Sequence, residues 1–407
     1  MRLTIINQFY KPDLSPTAHL AASLAEHRAR LGDEVTVVTS LGGYVPASVD
    51  KQKSKRDNPH IHRVWTPQLG KGSVLKRCTD YGIFYLLTLF RLIRLPRQDV
   101  IISLTTPPYI AWAGVVHKLL HRGTKLLLWN MDCYPELAER SEKLKEHGRL
   151  AQFMRVMNRA LFRRLDHLVC LDTAMVDLLC PQYAPKDGSL PVTVIPNWED
   201  ASLFPADAEH PRWEKAEALG LNGRFVVLYL GNMGFGHRFE TVIEAAERLR
   251  EERVTFLFIG GGTRWEMVER AKADRKLDNI ILHEYVPKEQ TPSVMTAAQC
   301  ALITLRDRIL GVMSPSKLHS NLAMGLPVVY VGPETCNVDD AIRDYGCGVS
   351  LRHGDTDGVV AFIRKMISDG EAYAELRRRA RQAFDAAYND GAALPRFDAV
   401  IASLTED

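Results

Sequence analysis

The sequence predicts an α/β protein built from two doubly wound parallel-sheet domains. Three observations carry this. Short apolar runs alternate with stretches of helical periodicity, the alternation expected of βαβ units. The pattern runs through the first half, pauses at Pro196-Asn197-Trp198-Glu199-Asp200, which reads as a linker, and restarts with the run FVVLYL at 225–230. The chain has 407 residues, too many for one ordinary core, so two domains of roughly 150–200 residues follow.

In the first half, residues 3–7 form an apolar strand and residues 8–17 a loop with two prolines. Residues 18–31 form an amphipathic helix with Leu20, Leu24, Ala25 and Leu31 on one face. Residues 35–39 form a second strand. In such sheets ligands sit beyond the carboxyl ends of the strands, so 8–17, Thr17 included, is a candidate ligand loop. It lacks G-x-G-x-x-G, which argues against a dinucleotide. Residues 42–60 are polar. Residues 70–97 are basic, and 83–93 are apolar almost all round. This segment is either a buried helix with a solvated basic end or a helix lying on an anionic bilayer. The strands 99–104, 125–129, 166–170 and 192–195 follow, with helices between them. The second of these strands delivers the loop Asn130-Met131-Asp132-Cys133-Tyr134-Pro135-Glu136 at its carboxyl end. Asp132 and Glu136 are candidates for a general base or a hydroxyl-binding group. Helix capping is the ordinary alternative, above all for Glu136 after Pro135.

In the second half, strand 225–230 ends in Gly231-Asn232-Met233-Gly234-Phe235-Gly236-His237-Arg238, ahead of a helix at 239–250. Glycines let backbone N–H groups approach an anion, and arginine grips phosphate with a fork. Strand 255–259 leads to three glycines, and strand 280–282 to Glu284-Tyr285-Val286. Further on, SPSKLHSNLAMGLPVVYVGPE at 314–334 reads as loop, helix, turn and buried strand. Ser314 or Ser316 can cap this helix. Lys317 in its first turn opposes the helix dipole, and a bound phosphate would compensate. A solvated lysine is the ordinary alternative, but two such helix entries in one half point to a phosphate site. The last helix is at 393–404.

Apolar content of 46%, charged content of 25% and a net charge of +3 are those of an ordinary globular protein and do not indicate a nucleic-acid binder. The 7 cysteines show no metal-binding spacing and read as buried free thiols. The opening MRLTIINQFY reads as a strand and loop, not a signal peptide. No apolar run is long enough to span a bilayer. A cytoplasmic protein is the expectation, with peripheral contact with an anionic membrane through 70–97 left as one of the two readings of that segment.

Taken in order, NQFYKPDLSPTAHLAASLAEHRARLGDEVTVVTS, DVIISLTTPPYIAW, WNMDCYPEL, VIPNWED, VLYLGNMGFGHRFETVIEAA, FLFIGGG, MSPSKLHSNLAMGLPVVYVGPE and YGCGVSLRHGD resemble the GT-B glycosyltransferases of family 4. The likeness is to the bacterial group that builds cell-surface polysaccharides of the O-antigen and colanic acid type. It covers nearly the whole chain. It implies two Rossmann-like domains facing an interdomain cleft: an acceptor-binding domain at 1–198, a nucleotide-sugar-binding domain at 199–390, and a closing helix at 391–407 that crosses back to the first. It implies transfer from a nucleotide-diphosphate sugar to a lipid-linked saccharide, with retention and with no metal or other cofactor.

By the same resemblance Arg238 and Lys317 contact the donor diphosphate, with Gly231, His237 and Ser316 around it. Asn232 stands where many relatives carry arginine. Tyr285 and Val286 correspond to the nucleobase segment, and Asp132 to the acceptor-domain loop that faces the sugar, our catalytic candidate. Relatives often carry two donor-binding glutamates as E-x7-E. Here those positions are Val312 and Ser320, so their contacts must come from elsewhere, from Ser320 or Glu334. Two rival readings stay open: a nucleotide-sugar 2-epimerase, because the scaffold alone does not fix the chemistry, and a non-catalytic partner protein, which the missing glutamates favour.

Overall fold

The computed structural model describes residues 1–13, 15–41, 58–67, 74–205 and 210–406. Most of the polar stretch 42–60, and 70–73 of the basic segment, lie outside these. The chain divides into two units. The first comprises Met1–Leu171, Met175–Ile195 and Leu394–Asp407; the second comprises Asp172–Ala174 and Pro196–Ala393.

The first unit holds a seven-stranded sheet. Its strands are β1 (Arg2–Ile6), β2 (Glu34–Ser40), β3 (His60–Val64), β4 (Val100–Leu104), β5 (Lys125–Trp129), β6 (His167–Cys170) and β7 (Val192–Val194). They lie in the order β3-β2-β1-β4-β5-β6-β7, and all neighbours are parallel. Strands such as VIISL are buried along their whole length, as a parallel sheet covered on both faces requires. The direction of winding reverses between β1 and β4, a topological switch point.

Among the helices, α1 (Pro16–Arg30) begins earlier than the periodicity alone indicates. Pro16 suits the first helical position, and the Ser15 hydroxyl accepts from the Ala18 amide at 3.3 Å. Helix α2 (Val74–Arg94), in the basic segment, is two-faced. Phe84, Thr88 and Leu92 are buried, while Leu86 (68%), Phe90 (53%) and Ile93 are exposed. Helix α3 (Ala111–Leu120) packs beside α2 and beside α5 (Arg149–Phe162); between α3 and α5 in the chain lies α4 (Glu136–Arg140). Helix α6 (Thr173–Tyr183) follows β6.

The second unit holds a six-stranded sheet. Its strands are β8 (Phe225–Asn232), β9 (Val254–Gly261), β10 (Ile280–His283), β11 (Cys300–Thr304), β12 (Val328–Val331) and β13 (Gly348–Leu351). The order is β10-β9-β8-β11-β12-β13, again parallel, with its switch point between β8 and β11. The helices are α7 (Glu240–Arg248), α8 (Trp265–Arg275), α9 (Thr291–Met295), α10 (Lys317–Ala323), α11 (Asn337–Tyr345), α12 (Thr356–Ser368) and α13 (Gly370–Ala383). Both β8 and β9 outlast their apolar runs, because Gly231 pairs with Gly260 and Asn232 with Gly261. A Cβ on Gly260 would stand 2.1 Å from the Gly231 carbonyl oxygen, so the extension needs glycine there.

The last helix, α14 (Asp390–Thr405), belongs from Leu394 onward to the first unit. Phe397 is fully buried, 4.6 Å from the Trp129 ring. Asp398 accepts from Arg28 Nη1 at 2.8 Å, and its other oxygen lies 2.8 Å from His27 Nε2. Buried Arg28 also donates to Asp33 at 2.7 Å. All seven cysteines are free; five are buried, Cys180 is half-buried and Cys78 is exposed. Phe397→Ala should lower the stability of the first unit by about 3–5 kcal/mol, and Asp398→Ala by about 1–3 kcal/mol, as read from urea unfolding followed by tryptophan fluorescence.

Candidate active site

The second unit gathers its polar groups at the carboxyl end of β8. Lys317, the first residue of α10, turns its side chain back over Gly231. A Cβ on Gly231, whose φ is +122°, would lie 3.1 Å from Lys317 Cε. The ammonium lies 4.9 Å above the Tyr229 ring and donates to the Asn232 carbonyl at 3.4 Å. It is also 3.3 Å from His237 Nε2. In the free protein, then, an aromatic face and a carbonyl compensate the lysine at this helix entry. Burial lowers its pKa to about 8.

His237 is buried between Lys317 and β11. Its Nδ1 lies 2.7 Å from the Thr304 carbonyl oxygen, to which it donates. That bond fixes the tautomer and leaves Nε2 as an acceptor for Lys317. Burial first, and the lysine second, lower the histidine pKa to about 3, so the ring is neutral at any physiological pH. His237 therefore acts by positioning Lys317. Sequence reasoning placed the two in one site but gave the histidine no such role; the bond spans 80 residues of chain.

Arg238 does not join the lysine. It pairs with Glu240 at 3.5 Å, and Glu240 accepts from the Phe239 amide at 3.0 Å. The entry to α7, expected to be open to an anion, is thus already met by a carboxylate. Together with His237, Arg238 lines a pocket of about 430 Å³ that also includes Arg264, Arg306 and Arg308. These three arginines went unnoticed in the sequence. Their signal was position: Arg264 follows β9, and Arg306 and Arg308 follow β11.

The other predicted donor residues are spread over the same unit. The Tyr285 hydroxyl donates to the Gly261 carbonyl at 3.1 Å and its ring is largely exposed. Val286 packs against the core. Ser316 is exposed at the start of α10 and its side chain makes no capping bond; its carbonyl accepts from His319 Nδ1 at 3.0 Å. Ser320 lies half-buried on α10. Glu334 is exposed, 3.7 Å from Arg352. Val312 is fully buried, so at that position an apolar side chain serves the core.

Thr17 and Asp132 belong to the first unit. Thr17 sits in the first turn of α1, its hydroxyl 3.3 Å from that of Ser15. Thr105 Oγ1 accepts from the amides of Met131 and Asp132 at 3.0 and 3.1 Å, which shapes the loop after β5. Asp132 lines a small pocket of about 30 Å³ with Tyr109, Tyr134 and Asn158, room for about one water. Burial raises its pKa to about 6. It is therefore mostly ionised at neutral pH and suited to accept a proton or a hydroxyl. Glu136 caps nothing: it accepts from Tyr183 and lies 3.7 Å from Arg155.

An anion at Lys317 needs the ammonium form. Sulfate, whose charge is constant over this range, should therefore bind less tightly as pH rises through about 8. Thermal-shift titrations should show the decline in the wild-type protein and lose it in Lys317→Met.

Comparison with known proteins agrees with this geometry. The family model "Glycosyl transferase 4-like domain" matches residues 17–198, and "Glycosyl transferases group 1" matches residues 211–383. The colanic acid biosynthesis glycosyl transferase WcaI of Escherichia coli (strain K12) is 24% identical over 380 residues, 90% of this chain and 92% of that protein. Among solved structures, sucrose-phosphate synthase (tll1590) from Thermosynechococcus elongatus superposes with a TM-score of 0.72 at 15% identity, covering 99% of this chain and 98% of that one. Anabaena Alr3699/HepE, solved with UDP and glucose, gives 0.68 at 14% identity, covering 99% and 100%. With the two family models matching in succession along the chain, the protein belongs to the family-4 glycosyltransferases of the GT-B fold.

Proposed function

We propose that this glycosyltransferase moves a sugar from a nucleotide-diphosphate sugar onto a lipid-linked saccharide during cell-surface polysaccharide assembly, with retention of configuration and without a bound metal. The observation that carries the reading is Lys317 held over Gly231 at the switch point of the second sheet. An ammonium there, fixed by His237 and aimed by Tyr229, meets the charge that develops on a departing diphosphate. Preorganised stabilisation of that kind is the main electrostatic task of such a transfer. The names of WcaI and of HepE with UDP and glucose support a nucleotide sugar and a polysaccharide role.

In this reading Gly231 lets the diphosphate approach the backbone, and Arg238 adds a second cation once the anion competes with Glu240. Tyr285 offers its exposed ring to the base beside Val286. Ser320 and Glu334 take the ribose and sugar contacts, with Asn232, Ser316 and Thr17 bordering the donor. Asp132 orients the acceptor hydroxyl or the donor sugar. The hydroxyl proton passes to the departing phosphate, so the step balances without a further base. In metal-free calorimetry against UDP, GDP, ADP, CMP and TDP, one nucleotide should bind. Lys317→Ala and Arg238→Ala should each weaken it at least tenfold, about 1.4 kcal/mol. Wild-type affinity in both variants would sink the proposed site.

We also propose peripheral contact with an anionic membrane through residues 70–97. No described helix is long and apolar enough to cross a bilayer, but the outer face of α2 is apolar and ends in Arg94, whose guanidinium stacks 3.5 Å from the Phe90 ring. Leu150, Phe153 and Val156 are exposed on α5, which packs on α3, near the cations Arg149 and Arg159 in the same helix. Apolar side chains ringed by cations suit an interfacial position. Binding to anionic vesicles should fall with salt, and Arg94→Gln and Arg97→Gln should each weaken it about fivefold, close to 1 kcal/mol per cation.

A further inference from the structure

A pocket of about 920 Å³ opens at the amino-terminal edge of the second sheet. Arg224 and Phe225 stand at the start of β8, Arg253 just before β9 and Gln299 just before β11. Lys317 is at the other edge, where its ammonium touches the carbonyl of Asn232, the last residue of β8. The 8 residues of β8, at about 3.3 Å each, set the two places roughly 23 Å apart. None of the roles proposed for the donor or the acceptor falls on this pocket.

Three guanidinium groups line it, those of Arg212, Arg224 and Arg253. Its one described carboxylate, Glu252, is already taken by Arg364, through two nitrogens at 3.0 and 2.8 Å. Among the described residues, the three lining arginines meet neutral acceptors or none. Arg224 donates to the Thr255 hydroxyl at 2.5 Å and to the Val254 carbonyl at 2.8 Å, which joins β8 to β9. Arg212 donates to the Asn222 side-chain oxygen. The exposed Arg253 guanidinium engages no described group. The Gln299 side-chain oxygen accepts from the Val226 amide at 2.7 Å, which leaves its NH2 group as a further donor. Like charges gathered in one pocket repel one another, and an oxyanion between them removes that cost. A phosphate monoester carries close to two negative charges at neutral pH and matches the guanidinium fork, so it answers three arginines better than a single carboxylate does.

The opposite wall is apolar. Leu221 and Met366 are buried, and Ile367 near the end of α12 is 48% exposed. The Tyr373 hydroxyl donates to the Gln299 carbonyl at 3.0 Å, and its ring meets that of Phe225 edge to face at 6.1 Å. Such a wall gives a bare ion nothing to contact. A cationic side facing an apolar one, in a volume of this size, suits a small molecule with a charged end and an apolar or aromatic body.

We propose that this pocket is a second ligand site, for a phosphate monoester with an apolar or aromatic body. The site stands apart from the transfer chemistry, and the inference does not depend on the nucleotide-sugar reading.

Calorimetry on the full chain tests it with phenyl phosphate, inorganic phosphate and phenylacetate as probes. Phenyl phosphate should bind at one site, at least tenfold tighter than either of the others. Arg212 and Arg253 are exposed, so the Arg212→Gln/Arg253→Gln double variant keeps the fold and should weaken phenyl phosphate at least tenfold. Ile367→Glu, which sets a carboxylate on the apolar wall, should do the same. Lys317→Met/Arg238→Gln, which disarms the other edge of the sheet, should leave the affinity unchanged. The proposal is overturned if phenyl phosphate does not bind, or if inorganic phosphate binds as tightly, which would mean an ion on arginine alone. Phenylacetate binding as tightly overturns the phosphate assignment. Loss of binding in Lys317→Met/Arg238→Gln but not in Arg212→Gln/Arg253→Gln overturns the proposal as well, by placing the probe in the donor site.

Discussion

The close passage of β8 and β9 governs the second unit. Where Gly231 pairs with Gly260, two parallel backbones run side by side with no side chain between them. Any Cβ on Gly260 would drive into the Gly231 carbonyl, so both strands continue past the point at which ordinary strands would part. Their continued pairing sets the later contacts. The Met233 amide reaches the Gly261 carbonyl at 2.7 Å, and the Arg264 amide reaches the Met233 carbonyl at 2.9 Å. The glycine-rich loop, the start of α8 and the floor beneath Lys317 are thus one hydrogen-bonded piece.

On that floor the electrostatics follow from burial. A lysine over an aromatic ring, against a histidine that cannot protonate, is a cation held with few partners of its own. It needs little rearrangement to meet an anion, and that is what preorganisation means physically. The aspartate of the first unit shows the converse. Burial alone raises the Asp132 pKa, which brings a carboxylate closer to the pH at which proton transfer is useful.

Much of the fold was legible in the sequence because parallel strands announce themselves locally. Runs such as VIISL and FVVLYL are apolar throughout, and their order follows from chain connectivity. The family assignment was legible too, since it rested on many short segments in sequence. The details of the site were less so. That Lys317 meets His237, and that Glu240 already occupies the entry to α7, are facts about side-chain direction across turns and across 80 residues of chain. No local pattern encodes them. Arg264, Arg306 and Arg308 look like ordinary surface arginines until β9 and β11 are set beside β8. For α2, composition gave the right residues but not the face each occupies: Phe84 and Leu92 turn inward while Leu86 and Phe90 turn out.

The return of the chain to the first unit at Leu394 has a consequence for biosynthesis. Trp129 and Arg28 are made early, but Phe397 and Asp398, which cover and pair with them, emerge only after the whole second unit has been translated. A nascent first unit therefore waits with a bare aromatic surface and an Arg28 that lacks its second carboxylate while its neighbour folds on its own sheet. Domains commonly fold as units in the order of synthesis; here the earlier one is finished last. Chains released prematurely would carry an unsealed core, a ready mark for chaperones and proteases that inspect newly made proteins.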